Sequence, residues 1–372
     1  MGLLPVDLEQ FWKDDEAAHE DNCFSPGAPQ VAFGIRMSEE CVLAEFGEEL
    51  DNPMWQPPPR RRRIELNKRY NDRAEKIVGI RLLPEEFPPE EARFTGVKRI
   101  GEVFGGAYSM RAGTEWLESD IKTPLQLEAK LDEIDRMDLR AFMLPPDWEE
   151  QRRVKYERYG VRPEPLHSIR GPVTLACSIF GIENLIFLLI DEPMLAKRFS
   201  GTITRVIIEM AEIMDAEAGG ESYGFSFFDD NCCMLNKEMY ESFGYPVLKE
   251  VFGRFSPEPH HERYQHSDSA MEHLLPILGR LGFTGVNFGP TVTVDKIRKF
   301  LPKARIDGCI APYTFMQDDH DKIIAEVKRD CGMAKQYGGG VNIYTAGSIN
   351  YGSTLSGMRS AMWAICEYGR YG

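Results

Sequence analysis

The chain has 372 residues, with 44 Lys and Arg against 59 Asp and Glu, so its formal net charge is −15 and its pI is near 5.1. Hydrophobic residues make up 42% of the chain and charged residues 28%, a balance that excludes a disordered or collagen-like protein. The acidic charge argues against a general nucleic-acid binder, because attraction to phosphate requires a positive surface.

The N-terminal half is irregular and rich in proline and charge. Prolines at 57–59 run directly into Arg60–Arg63, which we interpret either as a solvated loop or as an anion site. Helices are predicted over 64–76, 124–135 and 147–159. The second of these has Thr123 as its N-cap and a proline at its first position.

From residue 165 onward, short apolar runs alternate with longer amphipathic segments. Strands are predicted over 165–169, 223–228, 263–266, 285–288, 304–310 and 340–344. Helices are predicted over 182–216, 237–252, 270–281, 294–300, 319–337 and 354–368. Such alternation is typical of parallel strands joined by right-handed helical crossovers.

Two architectures satisfy this alternation, an open doubly wound sheet and a closed (β/α)8 barrel. The chain has no G-x-G-x-x-G motif opening a helix and no P-loop. Its strand–helix units are alike from the first to the last, with no break that would indicate the topological switch of an open sheet. We therefore predict an α/β fold, a (β/α)8 TIM barrel over residues 76–372 with an irregular, helical N-terminal extension over residues 1–75. The two remaining strands are expected at 76–82 and 97–104.

None of the eight cysteines forms a Cys-x-x-Cys motif, and the chain is too long and too poor in cysteine for a disulfide framework. The N-terminus has neither a basic nor an apolar segment. The most apolar stretch, residues 179–190, is interrupted by Glu183 and Asn184 and is too short to cross a bilayer. We expect reduced thiols, a cytoplasmic location and no membrane contact.

The chemistry of a TIM barrel lies where its strands end and the loops to the helices begin. Polar residues at the predicted strand ends are His167, Arg170, Asp229, Asp230, Asn231, His266, Ser267, Asp268, Asn287, Cys309, Thr345 and Ser348. Buried polar groups cost free energy unless they are paired, so this series favours a functional site over a structural role.

Adjacent carboxylates follow the aromatic strand that ends at Phe228. Asp229 and Asp230 must point in different directions, so one can face a site while the other caps a helix. A desolvated carboxyl there is suited to general acid catalysis, and one beside a cation stays ionised. Capping by both residues remains the structural alternative.

A histidine and a carboxylate follow the next strand. His266 and Asp268 are suited to metal binding, proton transfer or substrate binding, although Asp268 is equally an N-cap candidate. Cys309 is a candidate third ligand or a packed apolar thiol. Six rings near strand ends are candidate walls for an aromatic substrate or ordinary core residues: Phe227, Phe228, Phe288, Tyr313, Phe315 and Tyr344.

The order of several motifs resembles the uroporphyrinogen decarboxylase superfamily. These motifs are Arg170-Gly-Pro-Val-Thr-Leu-Ala176, Gly181-Ile-Glu-Asn-Leu185, Asp191-Glu-Pro193, Phe228-Asp-Asp230, His266-Ser267 and Asn287-Phe-Gly-Pro290. The resemblance covers residues 165–372 and implies a (β/α)8 barrel with an N-terminal extension. The superfamily contains porphyrinogen decarboxylases and corrinoid-dependent methyltransferases.

Departures from the family pattern separate these branches. The arginine-rich M-R-Q-A-G-R-Y stretch of the decarboxylases is not found, and the segment around Arg111 resembles it only weakly. The thiol-directed methyltransferases carry H-x-C and G-C-G segments that hold zinc. Here these segments resemble His266-Ser-Asp268 and Ala346-Gly-Ser348, which have no thiol, so two sulfur ligands are missing. A carboxylic acid, a histidine or a metal with oxygen and nitrogen ligands is the expected means of polarising the leaving atom.

The resemblance therefore favours a corrinoid-dependent methyltransferase of the O-demethylase type. Asp229 or Asp230, assisted by His266, is the expected acid. His167, Arg170, Phe228, Asn287, Tyr313 and Tyr344 are the expected substrate-binding residues. His266, Asp268 and Cys309 are the metal-ligand candidates, with zinc as one open choice.

The expected partners are a small methoxylated donor and a separate protein that carries the corrinoid. The open alternatives are decarboxylation of a tetrapyrrole or another carboxylated pyrrole, which would use Arg111 and Arg170, and a non-catalytic ligand-binding barrel. A homodimer is also left open.

Overall fold

The computed structural model describes residues 3–47, 59–111 and 114–371, except for the side chains of Arg111 and Thr114. The chain divides into two compact units. Unit 1 comprises Met1–Phe87, His266–Glu272 and Gly285–Gly372, and unit 2 comprises Pro88–Gln265 and His273–Thr284. The domain boundary between residues 75 and 76 stays a prediction.

The strands are short. They are β1 (Ala32–Phe33), β2 (Ala107–Arg111), β3 (Thr114–Glu118), β4 (Ser168–Arg170), β5 (Phe225–Phe228), β6 (Arg263–Ser267), β7 (Gly285–Phe288), β8 (Arg305–Asp307) and β9 (Val341–Ile343).

The helices occupy much more of the chain. They are α1 (Leu8–Ala18), α2 (Glu20–Cys23), α3 (Glu40–Glu45), α4 (Arg60–Val78), α5 (Ile100–Val103), α6 (Pro124–Asp135), α7 (Leu139–Met143), α8 (Trp148–Tyr159), α9 (Pro172–Phe180), α10 (Ile182–Asp191), α11 (Pro193–Ala218), α12 (Lys237–Phe255), α13 (Leu275–Leu278), α14 (Val294–Phe300), α15 (Pro312–Met316), α16 (His320–Gln336) and α17 (Leu355–Tyr368). Short 3-10 turns cover Glu90–Ala92, Asp230–Met234, Glu272–Leu274 and Gly279–Leu281.

The main sheet has the strand order β1-β9-β8-β7-β6-β5-β4, and β2 pairs with β3 in a separate antiparallel hairpin. The registers of β1 with β9, β4 with β5, β7 with β8, and β8 with β9 are parallel. At least one helix separates each strand from the next between β4 and β9. This confirms the predicted alternation of strands and helices.

The prediction of two strands at 76–82 and 97–104 is wrong. The first segment begins inside α4, and the second contains α5. Instead β1, which lies within the predicted extension, joins the sheet and aligns Ala32 with Asn342. A strand of this length has no measurable alternation of apolar and polar residues, so periodicity could not detect it.

The arginine run is helical, because α4 begins at Arg60. Pro57 and Pro58 lie outside the described residues. Arg60 donates to the carbonyl of Phe87 at 2.9 and 2.7 Å, and Arg63 donates to both carboxylate oxygens of Glu39 at 2.7 and 2.8 Å. The interpretation as a loop is therefore wrong, and these two arginines serve contacts within unit 1.

In unit 2 the two faces of β5 are distinct. The ring of Phe225 stacks on Phe255 of α12 at 5.5 Å, and that of Phe227 meets Phe252 of α12 at 5.5 Å. Because successive side chains of a strand alternate, Phe228 points to the face turned away from α12. The parallel register aligns Arg170 with Phe228, so both side chains leave the sheet on that face.

Among the helices that the structure describes, none is long and apolar enough by itself to span a membrane. One bent pair, α9 with α10, meets the length and composition criteria together across a bend of 103°.

Candidate active site

His266 is held at the carboxyl end of β6 by an asparagine of β7. Its Nδ1 lies 2.6 Å from Oδ1 of Asn287, which is buried with 4% exposure. Asn287 uses its Nδ2 group to donate to the carbonyls of Asp307 and of Thr345, the latter at 3.0 Å. The backbone N–H of Gly347 donates to Oδ1 at 3.1 Å.

This network determines the tautomer of the histidine. Both donating hydrogens of the Asn287 amide go to carbonyls, so Oδ1 can only accept. His266 must therefore donate from Nδ1, and the neutral ring carries its lone pair on Nε2. Metal-binding histidines are commonly oriented in this way by a hydrogen bond at the other ring nitrogen.

Asp268 lies beside this imidazole. A carboxylate oxygen of Asp268 and a ring nitrogen of His266 lie within 4.8 Å of each other. Gly347 approaches both residues with φ at +110°, a backbone conformation that favours glycine. A Cβ at Gly347 would lie 3.7 Å from Oδ2 of Asp268 and 3.8 Å from Cε1 of His266. These nitrogen and oxygen donors suit a divalent ion with mixed ligands.

Asp229 caps a helix that precedes it in the chain. Its Oδ1 accepts a hydrogen bond of 2.7 Å from the backbone N–H of Thr174, in the first turn of α9. The residue is fully buried, and burial raises the pKa of its carboxyl to about 7. Any side chain at Gly171 would collide with Asp229. Asp229 therefore stabilises the β4–α9 junction.

Asp230 begins the 3-10 turn that follows β5 and is only partly buried. The next backbone N–H, that of Asn231, donates to the hydroxyl of Thr174 at 3.0 Å, so the turn is also attached to the start of α9. The two adjacent aspartates thus have different environments, as the sequence predicted.

His167 and Arg170 lie at opposite ends of β4. His167 precedes the strand, its Nδ1 lies 2.7 Å from the carbonyl of Gly224, and its Nε2 lies 3.0 Å from Oδ1 of Asp215. The placement of His167 at the carboxyl end is therefore wrong, because β4 begins three residues later than expected. Arg170 is the last residue of β4, and its Nη1 donates to the Ser178 hydroxyl at 3.3 Å.

The aromatic candidates fall into two groups. Phe228 and Tyr313 are 44% and 60% exposed, and Tyr344 is partly buried. Burial raises the pKa of Tyr344, the nearby Asp307 adds to this, and Arg36 opposes it. Their substrate-binding roles stay predictions. Phe227, Phe288 and Phe315 are fully buried core residues.

Cys309 is fully buried, and burial raises the pKa of its thiol well above the ordinary value. A thiol that stays protonated is a poor metal ligand. No group of three candidate ligands in the described part of the chain includes Cys309. Its environment favours the packed thiol over the ligand.

One polar residue at a strand end was missed by the sequence analysis. Arg36 follows β1, and its Nη1 donates to the carbonyls of Phe33 at 3.3 Å and Ile35 at 2.9 Å. Arg36 was not predicted as a strand-end residue because the strand that precedes it, β1, was not predicted.

A model of the uroporphyrinogen decarboxylase (URO-D) family matches residues 152–341, slightly more than half of the chain. The chain belongs to this family. The predicted superfamily is thereby confirmed, and with it the α/β TIM-barrel fold class.

A solved structure described as a methyltransferase from Methanosarcina mazei is similar to this URO-D family member, with a TM-score of 0.53. The two share 16% sequence identity, and the match covers 90% of this chain and 99% of that chain. At this identity the similarity establishes the fold. No curated protein matches the chain.

Proposed function

We propose that this URO-D family member is a methyltransferase that moves a methyl group from a small methoxylated donor to a corrinoid carried by a separate protein. The observation that carries the proposal is the hydrogen bond from His266 to Asn287, which directs the Nε2 lone pair of a neutral imidazole away from the asparagine, with a carboxylate close by. The Methanosarcina mazei structure, which is described as a methyltransferase, supports the same choice.

The donor set fits a divalent metal ion bound through nitrogen and oxygen. We propose His266 and Asp268 as ligands. A bound ion would act as a Lewis acid toward the ether oxygen from which the methyl group departs.

The residues of the chain have separate roles in this scheme. Asn287 fixes the orientation and tautomer of His266, and Asp268 supplies negative charge beside it. Without a metal ion, the acidic form of Asp230 would supply the proton that the departing oxygen needs. Asp229 is the positioning residue that attaches the Asp230 turn to α9.

The test follows methylcobalamin formation by absorbance when the protein is mixed with cob(I)alamin and a panel of methoxyarenes. Metal content is measured on the same preparation, before and after chelation and reloading with zinc. His266→Gln should abolish methyl transfer, and the same substitution at the exposed His260 should leave it unchanged. Failure to form methylcobalamin with every donor and every reloaded metal would refute the proposal.

Decarboxylation of a carboxylated pyrrole is the second candidate, favoured by the match to the URO-D model itself. It requires positive groups that bind the substrate carboxylates. Arg170 is one, and the side chain of Arg111 lies outside the described residues. Wild-type protein that releases no carbon dioxide from any carboxylated pyrrole would exclude this candidate.

A further inference from the structure

A carboxylate, an imidazole and a thiol recur at every fourth position near the N-terminus, at Asp15, His19 and Cys23. Residues four apart on a helix lie on the same face, so Asp15, in the last turn of α1, meets the ring of the residue that caps this helix. All three residues belong to unit 1, and the proposed methyl transfer does not use them.

Both nitrogens of the His19 ring are engaged. Nε2 lies 3.5 Å from Oδ1 of Asp15 and 3.4 Å from the carbonyl oxygen of Phe33. Carboxylate and carbonyl oxygens only accept, so Nε2 carries a hydrogen. Oδ1 of Asp15 also accepts from the backbone N–H of Phe33 at 2.7 Å, which keeps the carboxylate beside the ring. Nδ1, on the other side of the ring, lies 3.7 Å from Sγ of Cys23.

The order carboxylate, imidazole, thiol is the arrangement that activates cysteine nucleophiles. Because Nε2 is a donor, Nδ1 is the atom that exchanges a proton with the sulfur. The hydrogen bond to Asp15, and next the contact with Cys23, raise the pKa of His19 to about 10, so the ring is an imidazolium at neutral pH. The C-terminus of α1 also favours a cation at this position. An imidazolium next to the sulfur stabilises the thiolate, which is the nucleophilic form of cysteine.

The backbone that carries the thiol is strained. Asp21, Asn22 and Cys23 have φ of +48°, +54° and +65°, in the left-handed region that costs most L-residues free energy. Two contacts fix this segment: the carbonyl of Cys23 accepts from the backbone N–H of Gly340 at 2.8 Å, and Oδ1 of Asn22 accepts from Arg305 at 2.8 Å. Because α1 ends at Ala18, the left-handed turn is what returns the thiol to the ring. Strain of this kind is concentrated at functional sites.

Only a small reagent can reach this sulfur. Cys23 is 5% exposed, whereas the side chain of His19 beside it is 35% exposed. Cys23 also packs with the small side chains of Ala18, Ala28 and Ala32. Hydrogen peroxide is little larger than water, and it oxidises thiolates in preference to thiols.

We propose that Cys23 is a nucleophilic thiol, activated by His19 and Asp15, that hydrogen peroxide oxidises to a sulfenic acid. The thiolate attacks one oxygen of the peroxide, so an S–O bond forms while the O–O bond breaks. The departing hydroxide takes the Nδ1 proton of the imidazolium and leaves as water. Sulfur loses two electrons and the peroxide gains them. The alternative is a structural role, in which His19 only ends α1.

The test treats the folded wild-type protein with hydrogen peroxide and dimedone, which traps sulfenic acids, and follows each cysteine by peptide mass spectrometry. An ordinary thiol is only a few per cent ionised at neutral pH, so Cys23 should be trapped at least about tenfold faster than Cys41. The buried sulfur of Cys41 contacts the Ser38 hydroxyl and the carbonyl of Asn350. Cys23 should also react faster than Cys233, which is more exposed. If Cys233 reacts faster than Cys23, exposure determines the rate and the proposal is overturned.

Two variants separate activation of the thiol from packing around it. His19→Gln removes the imidazolium, so trapping at Cys23 should fall by roughly tenfold while trapping at Cys233 stays unchanged. If His19 has only a structural role, the rate at Cys23 should stay equal or rise, since a loosened segment exposes the sulfur, and either result overturns the proposal. His273→Gln removes an imidazole that contacts the carbonyl of Leu235 in unit 2, and this matched control should leave Cys23 unchanged. The order of reactivity in wild type keeps the test decisive if His19→Gln does not fold.

Discussion

Removal of the Asn287 side chain should affect both the stability of the fold and the histidine that the proposed chemistry depends on. The side chain donates to two carbonyls, accepts from one backbone N–H and accepts from His266. Each such bond contributes about 1 kcal/mol net, and buried partners left unsatisfied cost more. Asn287→Ala should therefore lower the free energy of unfolding by about 4 kcal/mol, which is large for a single substitution.

Two assays check this reasoning. Urea denaturation measures the stability loss, with Asn184→Ala as the matched control because the Asn184 amide makes a single 2.8 Å bond to the carbonyl of Phe180. That control should lose about 1 kcal/mol. Long-range proton–nitrogen NMR of labelled histidines reports the tautomer of His266, assigned with His266→Gln. Asn287→Ala should mix the tautomers and weaken metal binding by roughly 10- to 100-fold.

The outcome that refutes the reasoning is a stability loss no larger than that of the control, together with an unchanged tautomer at His266. That result would mean that other groups orient the imidazole, and that the asparagine is not the residue that directs its lone pair.

Three further predictions concern charge and stability. Burial raises the pKa of Asp229 from 3.8 to about 7, so the native state holds this proton more tightly than the unfolded chain. The free energy of unfolding of wild type, measured in urea, should therefore fall relative to that of Asp229→Asn as pH rises from about 4 to about 7, and the difference should then level off. The hydrogen bond that His19 donates to the Asp15 carboxylate raises the pKa of His19 from 6.5 to about 10, so its stabilisation is complete below pH 6.5 and disappears as pH rises through 10. His19→Gln should cost about 1 kcal/mol at pH 6 and much less above pH 10, as read from urea midpoints at the two pH values; the small size reflects the 35% exposure of the side chain. The guanidinium of the buried Arg298 donates hydrogen bonds to five carbonyls, those of Leu301, Pro302, Ala304, Gly339 and Gly340. A lysine cannot make all of these bonds, so Arg298→Lys should lower the free energy of unfolding by about 2–3 kcal/mol in a denaturation experiment. A loss below about 1 kcal/mol would contradict this assignment.

The sequence predicted those elements best whose signals are local. The helix at 124–135 has the predicted bounds, because Thr123 caps it and a proline begins it. The strand at 285–288 and the helix at 294–300 also match. Apolar residues of suitable type and a short turn between them define both elements without any contribution from distant residues.

Several elements were not predicted, and one of them depends on a distant partner. The hairpin of β2 and β3 and the helix α9 have no counterpart among the predicted elements, and β1 exists only through its pairing with β9. The error at His167 has the same origin, because the apolar run at 165–169 does not show which of its residues pair with β5. A shift of a few residues in the start of a strand moves a side chain from one end of the sheet to the other.

The paired aspartates show what local sequence leaves undecided. Asp229 and Asp230 are adjacent and chemically identical, and the chain alone gives no reason to prefer either as the acid. The structure separates them through Thr174, 55 residues earlier, whose backbone N–H binds Asp229 and whose hydroxyl binds the turn that begins at Asp230. A carboxyl that serves a helix N-terminus cannot swing toward a substrate without uncapping α9, so Asp229 is confined to a positioning role. Loss of Asp229 should therefore appear first in stability, whereas Asp230→Asn should leave the fold intact and reduce methyl transfer.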